Sequence, residues 1–109
     1  MNIISDLEVA KKLVAIKTSA DSRGIDFDLS LKKVRQLLNT KKCFISGAKL
    51  NRIQQDPNQL TFDRLDNTKG YTDDNVVACS LRFNRLKDSL TIDEITMLYM
   101  AIQKKIKNN

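Results

Sequence analysis

The chain has no histidine and no tryptophan among its 109 residues, and only one proline, three glycines and two cysteines. Without histidine, no imidazole can serve as a general base or bind a metal. Cys43 and Cys79 are too few for a disulfide scaffold and, with no histidine to join them, too few for zinc. Both are expected as buried, reduced thiols, and no structural zinc is expected. Aromatic residues make up 6% of the chain, which disfavours recognition by stacking on single-stranded bases. No apolar run approaches the ~20 residues that span a bilayer, and the amino terminus lacks a signal-peptide apolar region. A soluble cytoplasmic protein is the expectation, without membrane attachment. Glycine-rich phosphate loops, internal repeats and low-complexity tracts are also missing.

What is present is positive charge. Nineteen Lys and Arg against thirteen Asp and Glu leave a formal charge of +6, which favours an acidic polymer, nucleic acid first, as partner. A length of 109 residues at 41% hydrophobic content fits one domain with a modest core.

The pattern alternates helices with short extended segments. Ser5 and Glu8 match a capping box that opens a helix to about Ser22, with Val9, Leu13, Ile16 and Ala20 as its apolar stripe and Gly24 as its stop. Ser30 caps a second helix, with Leu31, Val34, Leu37 and Leu38 inward. Cys43-Phe-Ile45 reads as a short strand turned by Ser46-Gly47, and the polar segment from Asn51 to Gln59 as loop. Leu60 to Leu65 alternates apolar and polar residues as a half-buried strand does. Asp66 to Gly70 is a turn, in which Asn and Gly tolerate positive φ, and Val76 to Cys79 is a second strand. Ser80 caps a helix to about Asp88, and the Thr91/Glu94 capping box opens a terminal helix with Ile95, Leu98, Tyr99, Ile102 and Ile106 on one side.

Strand, loop, strand and helix between Leu60 and Asp88 compose a ββα unit. In it, Asp63 on the first strand and Asn84 on the helix are placed to converge on one divalent cation. Oxygen ligands of this kind suit Mg²⁺ or Mn²⁺.

Cys43-Phe-Ile-Ser-Gly47, Phe62-Asp-Arg-Leu-Asp66, Lys69-Gly-Tyr-Thr72, Asn75 and Asn84-Arg-Leu-Lys87, in that order, resemble a phage-type branch of the HNH, or His-Me finger, endonucleases. The upstream Ala20-Asp-Ser-Arg-Gly24, Phe27 and Leu29 also resemble that branch's lead-in, so the similarity runs from about residue 18 to 90. The resemblance implies an α+β domain over residues 1–109, with a ββα-metal core at about 60–88 and flanking N- and C-terminal helices that supply the apolar core. It further implies Asp63 and Asn84 as metal ligands, Asn75 as the residue that orders the loop, and Mg²⁺ or Mn²⁺ as cofactor.

Arg64 stands where the family's general-base histidine is expected. A guanidinium stays protonated to above about pH 12 and cannot accept a proton from water, but it can engage the scissile phosphate. Asp66, Tyr71 or a hydroxide at the ion are the remaining sources of a base. Arg82 and Arg85, three apart on the last motif helix, are expected with Lys69 and Lys87 to line a phosphate-binding groove. The sequence thus points to a small metal-dependent endonuclease acting on double-stranded DNA. The alternative is an inactive descendant that binds nucleic acid or inhibits a host protein.

Overall fold

Ser5 closes the start of the first helix as its sequence predicts, its hydroxyl accepting from the Glu8 amide. The reciprocal half of the box is absent, because the Glu8 carboxylate is drawn to Arg52 at 2.8 Å. The computed structural model describes residues 4–108. Helix α1 (Asp6–Ser22) ends at Gly24, where a φ of 66° lets Ile25 N–H reach back to Ala20 O and Gly24 N–H to Asp21 O. This tight stop turns the chain into β1 (Phe27–Asp28), and Ser30 then caps α2 (Leu31–Leu38).

After α2 come β2 (Leu60–Arg64), β3 (Tyr71–Thr72), β4 (Val76–Ser80), α3 (Leu81–Asp88) and α4 (Ile92–Lys107). β2 and β4 are antiparallel, with Asp63 opposite Val77, while β1 pairs in parallel with β3. α3 packs against β2 and β4, and α1 packs on α2. The architecture is α+β. Val9, Ile16 and Ala20 of α1, Val34, Leu37 and Leu38 of α2, and Val76, Ala78 and Cys79 of β4 make most of the core. Among the described residues, no helix is long and apolar enough to cross a membrane.

Four expectations need correction. Cys43-Phe-Ile45 is not a strand: Lys42 forms one isolated antiparallel bridge to Lys49, and the chain turns over residues 44–46. The turn wins because the Cys43 sulfur accepts from the amides of Ser46 and Ser80, and because Gly47 takes a φ of 73°. Leu31 lies at the first position of α2, beyond the reach of the core, and is exposed. The terminal helix supplies no core: α4 has no buried residue. Finally, the turn from Asp66 to Gly70 uses no positive φ.

Gly70 is needed for a different reason. A Cβ there would lie 2.5 Å from the Asp26 carbonyl oxygen, the same oxygen that accepts from Tyr71 N–H at 2.8 Å to start the β1–β3 pairing. Gly70→Ala is therefore expected to force these strands apart and cost about 1–3 kcal/mol in urea unfolding. An unchanged midpoint would mean that β1 moves away freely.

The cysteines are free and buried, as expected, with their sulfurs 3.6 Å apart. Burial acts to raise both thiols. At Cys43, hydrogen bonds from Ser46, Ser80 and Ile45 outweigh it and bring the group down to about 6, whereas Cys79, beside Cys43, is pushed up to about 12.

Candidate metal and phosphate site

The alternation of β2 puts Thr61 and Asp63 on one face, toward α3, and the helical period puts Asn84 and Asp88 on the answering face. Asp63, Asn84 and Asp88 meet at a cleft of about 360 Å³, lined also by Arg23, Phe62, Arg64, Asn67 and Tyr71. Asp63 is 2% exposed. Its Oδ1 lies 3.4 Å from Lys87 Nζ, while its Oδ2 is buried with no hydrogen-bond partner. Burial dominates and raises this carboxyl to about 6; the Lys87 ammonium opposes the shift and the Asp88 carboxylate adds to it.

The amide of Asn84 is the most informative group. Its nitrogen donates to Thr61 Oγ1 at 2.9 Å, and its oxygen then faces Asp88 Oδ2 at 3.0 Å and Asp63 Oδ1 at 3.2 Å. Turning the amide over would let its nitrogen donate to both carboxylates and its oxygen accept from Thr61. The Thr61 hydroxyl has only one hydrogen, which can go to the Cys79 carbonyl at 2.8 Å or to the turned amide oxygen at 2.9 Å. Without a cation the turned-over amide is the satisfied arrangement; with its oxygen inward, as a bound cation would require, Thr61 accepts from the amide nitrogen and donates to the Cys79 carbonyl.

With the amide oxygen inward, its approaches of 3.0 Å to Asp88 Oδ2 and 3.2 Å to Asp63 Oδ1 would be repulsive unless a proton or a cation lay among them. In an octahedron with bonds of ~2.1 Å, neighbouring oxygens lie ~3.0 Å apart. The two spacings are those of amide hydrogen bonds to the carboxylates and also match that edge once the oxygen faces inward, and the unpartnered Asp63 Oδ2 adds a further acceptor. The residues fit a small hard cation whose sphere is completed by water and phosphate oxygens. Among the described residues no three His, Cys, Asp or Glu side chains gather, so the protein's share of the set is two carboxylates and one amide.

Asn75, 7% exposed, holds the turn that precedes the second strand. Its nitrogen donates to Asp66 O at 3.1 Å and Gly70 O at 2.9 Å, and its oxygen accepts from Asp66 N–H at 3.0 Å. Asn75→Ala orphans all three groups and is expected to cost about 2–4 kcal/mol in chemical unfolding. A loss below 1 kcal/mol would show water replacing the amide without penalty.

The other sequence-predicted residues are distributed unevenly. Arg64 lines the cleft, and one of its terminal nitrogens donates to Asn67 O at 3.1 Å and Lys69 O at 2.8 Å, leaving its other N–H groups for a ligand. Tyr71 sits under it, the guanidinium 5.2 Å from the ring centre, and accepts through its hydroxyl from Arg23 at 2.7 Å. Asp66 is a turn former: its carboxylate accepts from the Thr68 amide and hydroxyl, which hold it below the usual carboxylate range. A carboxylate held so acidic is a poor base.

The expected basic groove is rearranged. Lys87 points inward, its ammonium bonded to Arg64 O at 2.5 Å, Leu65 O at 3.3 Å and Asn67 Oδ1 at 3.2 Å, and is not free for phosphate. Arg82 and Arg85 are exposed, with Arg85 bonded to Gln55 at 2.8 Å. They lie about 100° or more around the helix from Asn84, and neither they nor the exposed Lys69 line the cleft. The cations at the cleft itself are Arg23 and Arg64.

Sequence reasoning gave no role to Asp88, Thr61 or Arg23. Asp88 was discoverable four residues after Asn84 on one helical face, and Thr61 two residues before Asp63 on one strand face. Arg23 had no such signal, because its place depends on the α1 stop and on Tyr71, 48 residues away in sequence.

Over 89 residues the chain is 30% identical to a protein of Enterobacteria phage T4 named "Uncharacterized 29.0 kDa protein in dda-modA intergenic region". The match covers 81% of this chain and 35% of that protein, so the chain spans little more than a third of the relative's length. No family model matches the chain, and no solved structure matches it.

Proposed function

We propose that this chain is a small divalent-metal-dependent endonuclease of the HNH, or His-Me finger, type, phage-encoded and acting on double-stranded DNA in the host cytoplasm. The observation that carries the reading is the convergence of Asp63, Asn84 and Asp88 on one cleft, with Asp63 Oδ2 buried there and unpartnered. The antiparallel β2–β4 pair followed by α3 supports a ββα-metal core, and the charge of +6 suits a polyanion. Similarity to a phage protein supports the phage origin.

In this reading Asp63, Asn84 and Asp88 hold Mg²⁺ or Mn²⁺. An ion held there would supply Lewis-acid polarisation of phosphate and charge stabilisation at the leaving oxygen. Arg64 presents its unused N–H groups to the same phosphate, with Arg23 across the Tyr71 ring as a second cation. Asn75 keeps the turn, and through it Arg64, in place. Lys87 offsets the charge of Asp63 at Oδ1 and ties α3 to the end of β2. Water activation falls to a group other than Asp66, which its turn bonds make too weak a base.

The test is nicking of supercoiled plasmid by the purified chain with Mg²⁺ or Mn²⁺, against EDTA and Asn84→Ala. Metal-dependent nicking that disappears in the variant is the expected result.

One feature favours a second reading, a catalytically silent protein that binds nucleic acid or a host protein. Lys87 already places a cation 3.4 Å from Asp63, and Arg64 removes the usual base. Retained DNA binding at low salt with no nicking would select that reading, and absence of binding would favour a protein target.

A further inference from the structure

Helix α4 is unusual in what it leaves uncovered. None of its residues is buried, and Ile92, Tyr99, Ile102 and Ile106 are each about half exposed or more. With Ile95 they recur at intervals of three, four, three and four, the a/d spacing of a helix that packs along its length against another helix. Leu98 adjoins the stripe and is also exposed. A helix of 16 residues is ~24 Å long, so the exposed apolar stripe runs along the whole of it. The Thr91–Glu94 capping box, complete in both directions, makes the helix start independent of the body.

The charges identify the occupant. The first turn carries Asp93 and Glu94, and the last turn carries Lys104, Lys105 and Lys107. A second copy laid antiparallel brings Glu94, on one flank of the stripe, toward Lys105 on the same flank of the other copy, and opposes the helix dipoles favourably. A parallel copy would stack three lysines on three lysines. Antiparallel pairing about a two-fold axis also stacks Ile95 on the partner's Ile106 and Tyr99 on the partner's Ile102, the same contacts from both sides.

We propose that α4 is a self-association surface and that two copies of this chain pair through it as an antiparallel helix dimer. The inference is independent of the nuclease reading, since its readout is mass and not cleavage.

The experiment is sedimentation or light-scattering mass of the full chain across micromolar to submillimolar concentration, for wild type and Ile102→Glu. The wild type is expected to rise toward twice the chain mass, and Ile102→Glu to stay at a single mass with unchanged circular dichroism, since Ile102 contributes nothing to the core. A single-chain mass at every concentration, or a dimer indifferent to Ile102→Glu, would overturn the proposal. Orientation is read from spin labels on Asp93→Cys: the antiparallel pair separates them by roughly 20 Å along the axis at 1.5 Å per residue. Labels side by side would indicate the parallel pair and contradict it.

Discussion

Asp63→Asn is expected to abolish metal-dependent nicking, by about a thousandfold or more, and yet to stabilise the metal-free protein at pH 8. The carboxyl is 2% exposed, and its folded-state pKa is raised from 3.8 to about 6. A raised acid pKa means that the favourable, protonated contribution is fully present below about pH 4 and is lost as pH climbs through 6. Above that the ionised group is held where its Oδ2 has no partner. Two units at ~1.4 kcal/mol each set an upper bound near 3 kcal/mol, and the pairing lost from Lys87 reduces the net gain to about 1–2 kcal/mol. Lys87 itself keeps three oxygen acceptors from the backbone and Asn67. The check is thermal unfolding at pH 4.5 and pH 8, with and without Mn²⁺. The variant should melt several degrees above wild type at pH 8 in EDTA and show no rise with Mn²⁺, while wild type gains stability from the ion. A variant less stable at pH 8 would show that the ionised carboxylate is well solvated or well paired in the fold.

Arg64→Ala is expected to reduce nicking by about a hundredfold, through loss of a fixed cation at the phosphate and through loosening of the turn. Arg64→Lys should recover only part of this, because a point charge cannot brace the Asn67 and Lys69 carbonyls and still present a planar fork to phosphate. Duplex binding measured against salt separates the two effects. Loss of one phosphate contact lowers the salt slope by about one, while turn loosening alone leaves the slope unchanged and lowers the unfolding midpoint. Wild-type cleavage in Arg64→Ala would remove Arg64 from the site altogether.

Much of this arrangement is legible locally. Ser5, Ser30, Ser80 and Thr91 all cap helices as their positions imply, because capping depends on three or four consecutive residues. The alternation of β2 and the period of α3 likewise bring Asp63 toward Asn84. What fails is what depends on distant partners. An amphipathic stripe on α4 states that something covers it, not that the covering element lies in the same chain. The inward turn of Lys87 depends on carbonyls left open at the end of β2, 20 to 23 residues earlier. Gly70 is constrained by Asp26 across a parallel strand pair, although its neighbours read as an ordinary glycine turn.

The central claim is a cation held by Asp63, Asn84 and Asp88. It is tested most directly by the anomalous difference map of a crystal of the full chain grown with Mn²⁺. The account predicts one peak at the cleft, within metal-bonding distance of Asp63, Asn84 Oδ1 and Asp88. A cleft with no peak, with the Asn84 amide turned over to donate to both carboxylates, would contradict it.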